Sequence, residues 1–107
     1  MPILQVNFKL NVSIAEYESI CASFAPHLTN IPGMRWKIWL LNEQEGEAGG
    51  LYLFDTQESL DAYLAGPVIA QVKALPAIRD ITAKVFDVME DVTAITKGPV
   101  AAMAATH

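Results

Sequence analysis

Residues 3–10, with the sequence ILQVNFKL, alternate between apolar and mostly polar side chains. One side of this segment is apolar throughout and consists of Leu4, Val6, Phe8 and Leu10. A period of two residues is typical of a β-strand that has one face buried. The chain is therefore expected to begin with a strand, in a sheet that has at least one covered face.

A helical pattern follows this strand directly. Ser13 and Glu16 have the spacing of a capping box, which predicts a helix from about residue 13. Pro26 falls late in the pattern and indicates that the helix ends or bends there. Apolar side chains recur at helical spacing and predict the buried stripe of this helix, which consists of Ile14, Tyr17, Ile20, Cys21, Phe24 and Leu28.

The segment MRWKIWLLN at residues 34–42 contains both tryptophans of the chain, Trp36 and Trp39. As a helix it would lack a cap and would follow a Pro-Gly turn directly. As a strand it forms a hairpin with GLYLFD, which comes after a polar, glycine-rich connector. We favour the strand, which places the two indoles on opposite faces of the sheet.

The second half of the chain repeats these signals. Asp55 and Glu58 have capping-box spacing and predict a short helix, TQESLDAYL. Pro67 suits the first turn of another helix, PVIAQVKAL. Residues 82–88 alternate again and predict a fourth strand, and a helical turn is expected near DVTAIT.

The order of these elements is β-α-β-β-α-β, with the second helical region broken in two. It predicts an α+β fold of the ferredoxin-like kind with a four-stranded antiparallel sheet. We assign this domain to residues 1–90 and a C-terminal tail to residues 91–107. Helices would cover one face of the sheet and leave the other, which we call the bare face, for a partner, a ligand or solvent.

Composition narrows the possible functions. The chain has 107 residues, of which 52% are hydrophobic and 18% charged, so we expect it to bury surface against a second copy. The formal net charge of −5 disfavours nucleic-acid binding. A single cysteine, and the lack of a signal-peptide pattern or a long apolar segment, lead us to expect a soluble cytoplasmic protein.

Neither of the two histidines of the chain falls in a predicted strand or in the helical stretch 56–75. His27 lies near the end of the first predicted helix and His107 is the last residue. This placement argues against Ser-His or Cys-His catalysis and against a metal or haem that is held by histidine. None of the common nucleotide-binding or zinc motifs occurs in the sequence.

We predict that the more apolar side of each strand, including Trp36, meets the helices. The bare face would then present aromatic, amide and lysine side chains, namely Gln5, Asn7, Lys37, Trp39, Tyr52, Phe54, Lys84 and Phe86. Pocket walls often have this composition, and a dimer interface can have it too. Each residue also has an ordinary interpretation: strand lysines are usually solvated, Asn7 can pair with a polar neighbour, and Cys21 can act as a small apolar residue.

Three stretches of the sequence carry a resemblance to a known family. They are Pro32-Gly33 with the W-K-x-W pattern of residues 36–39, EAGGLYLF at residues 47–54, and AKVFDV at residues 83–88. Over most of residues 3–90 the chain resembles the small bacterial YdhR-type monooxygenases. That family belongs to the dimeric α+β barrels, so the resemblance implies a homodimer whose subunits pack their bare sheet faces together around cavities.

The resemblance also implies a chemistry. The related antibiotic-biosynthesis monooxygenases oxidise aromatic polyketides to quinones without metal, flavin or haem. The protein must then favour a deprotonated substrate and exclude water. Relatives with oxygenase activity tend to end the third strand with tryptophan and to carry asparagine four residues earlier, where this chain has Phe54 and Gly50.

We therefore expect a cofactor-independent monooxygenase that acts on a small aromatic or quinol-like compound. The candidate catalytic donors are Asn7, Lys37 and Tyr52, and the candidate substrate-binding residues are Trp39, Phe54, Lys84 and Phe86. A non-catalytic binder of planar or apolar metabolites would use the same cavity, as would a lyase or cyclase. RNA-binding domains share the order of elements but need a basic surface, which this acidic chain lacks.

Overall fold

The computed structural model describes residues 1–100 and confirms the predicted order of elements. The strands are β1 (Pro2–Leu10), β2 (Met34–Asn42), β3 (Glu47–Phe54) and β4 (Ile78–Asp87). The helices are α1 (Ile14–Phe24), α2 (Gln57–Leu64), α3 (Pro67–Lys73) and α4 (Glu90–Ile95), with a 3₁₀ turn (Ala25–Leu28) after α1. The sheet has the order β2-β3-β1-β4 and all its pairs are antiparallel, which is the ferredoxin-like arrangement.

The helix starts follow from local capping. Ser13 is the N-cap of α1, and its side-chain oxygen accepts a hydrogen bond from the backbone N–H of Glu16 at 3.1 Å, as the spacing predicts. The cap of α2 lies one residue later than predicted. It is Thr56, whose hydroxyl oxygen accepts from the Ser59 N–H at 3.1 Å, and not Asp55.

The ends of the helices follow proline and glycine. The 3₁₀ turn after α1 contains Pro26, where the sequence predicts an end or a bend. Pro67 is the first residue of α3, as predicted, and Gly66 is its N-cap. The helical turn expected in the tail is α4, while residues 101–107 of that predicted tail lie outside the described residues.

Two strands begin earlier than the alternation indicates. β3 starts at Glu47 and not at residue 50, and β4 starts at Ile78 and not at residue 82. The pairing of β1 with β4 shifts register between Asn7 and Lys9, and Asp80 has a φ of 55° beside this shift. A bulge of this kind interrupts the two-residue period, so the first part of β4 shows no alternation in the sequence.

The core lies between one face of the sheet, which we call the covered face, and helices α1, α2 and α3. On β1 the covered face carries Leu4, Val6, Phe8 and Leu10, all buried, as the alternation predicts. From the helices and the 3₁₀ turn, the same cluster receives Tyr17, Leu28, Leu60, Tyr63 and Ile69. Burial of this apolar surface is the main source of stability for the fold.

One end of the bare face is covered by the chain that follows β4. The Trp36 indole N–H donates a hydrogen bond to the Pro99 carbonyl at 3.3 Å, and Val100 is buried. The N-terminal amino group forms an ion pair with Glu90 at 2.8 Å. No helix among residues 1–100 is long and apolar enough to cross a membrane.

Candidate active site

The register of the sheet decides which face each side chain of the β2–β3 hairpin occupies. Residues that pair directly in an antiparallel ladder lie on the same face. Leu4 on the covered face pairs with Tyr52, and Tyr52 pairs with Lys37. Trp39 lies two residues beyond Lys37, so it shares that face. The prediction that these three side chains occupy the bare face is wrong.

The error has a physical reason. Both sides of the hairpin are apolar, so alternation within β2 and β3 cannot tell which side is buried. Pairing with β1, whose alternation is clear, decides the question and turns Trp36 and Ile38 to the bare face. The prediction that the two indoles point to opposite faces is confirmed, but their assignment is reversed: Trp36 is not beneath the helices.

Four other predicted site residues do not join Lys37. Asn7 lies on the bare face, where its side-chain oxygen accepts from the Gln5 amide at 2.9 Å. Lys84 and Phe86 lie on the same face, because they pair with Gln5 and Ile3. Phe54 is on the covered face but is fully buried in the core, against the Tyr63 ring, and does not line the crevice described next. Asn7, Lys84 and Phe86 are thus on the bare face, as predicted, whereas the prediction that Phe54 joins them there is wrong.

Lys37, Trp39 and Tyr52 line a crevice between the covered face and the helices. Most of its wall is apolar, and six of the side chains that line it carry polar atoms: Tyr17, Cys21, Lys37, Trp39, Tyr52 and Tyr63. The centres of water-sized molecules can occupy about 40 Å³ of the crevice, which is room for roughly three waters. The site is therefore narrow, and a planar ligand would enter only with movement of the side chains at its mouth.

The Lys37 ammonium is held by aromatic rings. Its Nζ lies 3.4 Å from the centroid of the Trp39 ring and 4.7 Å from that of Tyr52. A cation over an aromatic face is stabilised by the quadrupole of the ring. Gly50 provides the space for this arrangement, because a Cβ atom there would come within 2.9 Å of Lys37 Cε.

Burial changes the proton affinity of this lysine. The loss of water around its amine lowers the pKa of Lys37 to about 8, partly opposed by the nearby Cys21 thiol. An amine with this pKa is mostly charged at neutral pH and still reaches its neutral form readily. Lys37 can thus accept a proton and then stabilise a negative charge at the same place.

The three tyrosines of the crevice remain hydrogen-bond donors. Burial raises the pKa of Tyr17, Tyr52 and Tyr63 above the ordinary range, with a further contribution to Tyr17 from the Cys21 thiol. Among residues 1–100, the Tyr63 hydroxyl oxygen is buried and has no hydrogen-bond partner. Protonated hydroxyls on an apolar wall can orient the oxygen atoms of a ligand.

Sequence reasoning missed the helical half of this wall. Tyr17 and Cys21 were predicted only as members of the buried stripe of α1, and Tyr63 on α2 was not singled out. The stripe did contain a usable signal, because a tyrosine on a buried helical face needs a partner for its hydroxyl. Locating Tyr63 required the packing of α2 against β3, where its ring lies 5.4 Å from that of Tyr52.

Ligands for a metal ion are not grouped in the described part of the chain. Residues 1–100 contain no cluster of three or more histidine, cysteine, aspartate or glutamate side chains that could hold a metal ion. His27 is exposed on the 3₁₀ turn and does not line the crevice. His107 lies outside the described residues.

Comparison with solved structures identifies the class of fold. SnoaB, a cofactor-independent oxygenase from Streptomyces nogalater, is 21% identical over 83% of this chain and 94% of its own, with a TM-score of 0.66. The heme-degrader MhuD from Mycobacterium tuberculosis, solved with two hemes in its active site, is also 21% identical, over 83% and 97%, with a TM-score of 0.66. A putative antibiotic biosynthesis monooxygenase from Deinococcus radiodurans is 17% identical over 84% and 94%, with a TM-score of 0.68. The chain thus has the fold of the antibiotic-biosynthesis monooxygenases.

A family model gives a closer assignment. The model described as "Putative mono-oxygenase ydhR" matches residues 3–99, nearly the whole described chain. The protein belongs to this family, as the resemblance in its sequence implies. A comparison with curated proteins gives no match.

Proposed function

We propose that this protein is a cofactor-independent monooxygenase that oxidises a small phenolic or quinol-like aromatic with molecular oxygen. The reaction would take place in the crevice between the covered face and the helices, not in a cavity at the bare face. One observation carries the proposal: a lysine amine with a pKa near 8 is buried against Trp39 and Tyr52 in a narrow apolar site. Membership of the monooxygenase family agrees with it.

The first step is removal of a proton from the substrate. Neutral Lys37 takes the proton of a phenol, and the resulting ammonium holds the phenolate by direct charge attraction. The Tyr52 hydroxyl, which burial keeps protonated, donates a hydrogen bond to the same oxygen. A phenolate is far more electron-rich than its phenol, so this step prepares the substrate for oxygen.

The second step uses oxygen without an added reductant. The phenolate transfers one electron to O₂, and the phenoxyl radical and superoxide combine to form a carbon–oxygen bond at a ring carbon that bears hydrogen. The peroxide then takes up a proton and eliminates water, which leaves a carbonyl group on the ring. One oxygen atom stays in the product and the other leaves as water, and the two electrons that this requires come from the phenolic O–H bond and the C–H bond of the attacked ring carbon, whose hydrogens are both lost.

The apolar wall serves this chemistry by excluding water. Charge interactions are stronger in a site of low polarity, so the Lys37 ammonium stabilises a phenolate more there than at a surface. Trp39, with 38% of its surface exposed, lies at the mouth of the crevice. Its indole can stack on a planar substrate that takes the place of the lysine over the ring.

A heme-dependent reaction, as in MhuD, fits this chain less well. The described residues place no histidine on the crevice wall, so none of them offers an imidazole to a heme iron. The space available also favours a much smaller ligand than a porphyrin. A single aromatic ring system therefore remains the better match.

We also propose that the protein is a homodimer built on the bare face. Ile38 and Phe86 on that face are 44% and 48% exposed, and half-buried Leu40 and Leu51 lie beside Ile38. Exposed large apolar side chains on the sheet face of a small domain are typical of a contact between subunits. The active-site crevice lies on the opposite side of the sheet, so each subunit would carry a site of its own.

The test is oxygen uptake by the purified protein. Anthrone, 1-naphthol and 1,4-dihydroxynaphthalene are incubated with it, and uptake is corrected for spontaneous oxidation. We expect protein-dependent uptake with at least one compound and a quinone product that contains one atom from ¹⁸O₂. Trp39 fluorescence quenching without any uptake would instead identify a binding protein, and product formation without oxygen would identify a lyase or cyclase.

A further inference from the structure

Tyr63 has a buried hydroxyl that the proposed reaction does not use. The residue is only 5% exposed, and within residues 1–100 its oxygen has no partner of hydrogen-bond geometry, although the nearby Tyr52 hydroxyl partly opposes the rise of its pKa. Its ring is fixed by aromatic neighbours, with centroid distances of 5.4 Å to Tyr52 and 5.6 Å to Phe54. Buried polar groups without a partner are rare in folded proteins, and each calls for a physical explanation.

The position of this side chain suggests what the partner is. Tyr63 and Val68 line the active-site crevice and also an outer groove between the Ile31-Pro32 turn and the start of α3. The groove offers about 470 Å³ to water-sized molecules, against about 40 Å³ in the crevice. Tyr63 therefore stands where a ligand in the crevice would continue into open space.

Lys37 and Tyr63 are neighbours of the same ring. The Lys37 Nζ lies 4.7 Å from the Tyr52 centroid, and the Tyr63 ring lies 5.4 Å from it. Both side chains also line the crevice, so one small planar molecule within it can contact both. Its ionisable oxygen would meet the Lys37 amine, and a second atom would meet the Tyr63 hydroxyl.

We propose that Tyr63 positions the substrate by donating a hydrogen bond to a second, acceptor oxygen at the junction of crevice and groove. This inference rests on the proposed function for the placing of the first oxygen at Lys37. The substrate class is then narrower than phenols in general. It comprises planar phenols that carry an additional ether or carbonyl oxygen, with any substituent of that oxygen directed into the groove.

The test compares two ligands of nearly equal shape in the wild type and in Tyr63→Phe. The compounds are 4-methoxy-1-naphthol, which has the acceptor oxygen, and 4-ethyl-1-naphthol, which has a methylene group in its place. Dissociation constants are measured by tryptophan quenching without oxygen, so that turnover plays no part. We expect the substitution to weaken binding of the methoxy compound about five- to tenfold and that of the ethyl compound less than twofold.

Thermal unfolding of the free proteins separates this role from a structural one. A hydroxyl that waits for a ligand is unpaired in the free protein, so Tyr63→Phe should leave the melting temperature unchanged or raise it. A lowered melting temperature together with equal losses for both ligands would overturn the proposal. The proposal would also be overturned if the wild-type protein bound neither compound, or bound both without preference for the ether.

The outcome does not depend on whether the protein is an oxygenase. Ligand-selective loss in Tyr63→Phe without oxygen uptake by the wild type would support the role of Tyr63 and refute the proposed reaction. If Tyr63→Phe takes up oxygen at the wild-type rate with both naphthols, the role of Tyr63 is refuted, and the proposed reaction is still supported.

Discussion

The two faces of the sheet differ in what they do with similar residues. The covered face buries Lys37 between aromatic rings and brings three tyrosines to a narrow crevice. The bare face leaves Ile38, Phe86 and Lys84 exposed over a broad, open surface. Loss of water makes a lysine reactive, whereas exposed apolar surface favours association, so we propose chemistry on the covered face and assembly on the bare face.

The largest expected effect comes from removing the amine on the covered face. Lys37→Met should lower kcat/KM for oxygen uptake at least about 100-fold, because the proton acceptor and the charge that holds the phenolate are both lost. The steady-state rate on the best naphthol or anthrone substrate measures it. Lys73→Met on the exposed end of α3 is the matched control and should keep the wild-type rate. Equal rates in all three proteins would remove Lys37 from the mechanism.

Gly49 and Gly50 are adjacent on β3, so a side chain added at one would point to the opposite face from a side chain added at the other. A Cβ at Gly49 would collide with the Val6 carbonyl oxygen, whereas one at Gly50 would come closest to the flexible end of Lys37 and press more lightly on the Tyr52 ring and the Ile38 carbonyl. Gly49→Ala should lower the free energy of unfolding by about 3 kcal/mol, and Gly50→Ala by less than about 1 kcal/mol. Urea denaturation measures both.

Gly50→Ala should nevertheless reduce oxygen uptake, because it displaces the Lys37 side chain from the rings. Similar stabilities for the two alanine variants would show that the backbone approach at Gly49 is not as close as described. An unchanged rate in Gly50→Ala would show that the location of the amine over Tyr52 is not needed.

The bare face can be tested by placing a charge on it. Ile38→Asp should weaken self-association at least about tenfold, because an aspartate would be buried in the interface. Leu41→Asp is the matched control, since Leu41 is 43% exposed on the same strand but faces the other way. Sedimentation equilibrium measures both. A monomeric wild type, or equal dissociation in the two variants, would contradict a dimer through the bare face.

The smallest effect concerns the dependence of stability on pH. The folded pKa of Lys37, about 8, lies below its ordinary value of 10.5, so the unfolded chain holds the proton more tightly. Stability should therefore rise with pH between about 8 and 10, where the folded protein has released that proton. We expect the free energy of unfolding of the wild type to gain about 1–2 kcal/mol relative to Lys37→Met across this range. If the difference in the free energy of unfolding between the two proteins stays constant across this pH range, the Lys37 amine is solvated in the folded protein.

The sequence predicts the elements of this fold better than it predicts the site. The strict alternation of β1 and the cap at Ser13 depend on neighbouring residues alone, and both are confirmed. The faces of Trp36 and Trp39 depend on the pairing of β3 with β1, which residues close in sequence do not determine. Where both sides of a hairpin are apolar, only register can assign them.

The site itself shows the same limit. Lys37 and Trp39 share one face, as the sequence predicts, because alternation holds within a strand whichever side is buried, and the register adds Tyr52 to that face. Asn7, Lys84 and Phe86 were joined to them only through the reversed face, and the register separates them. Tyr63 required knowledge of helix packing, which no local pattern contains.

The most direct test of the account is an NMR titration of the lysine side chains with and without 1-naphthol. We expect a lysine signal, absent from Lys37→Met, that titrates near pH 8 and shifts when the naphthol binds, while naphthol leaves the Lys84 signal unaffected. A Lys37 signal that titrates near its ordinary value of 10.5 and ignores the ligand, with Lys84 responding instead, would contradict it and return the site to the bare face.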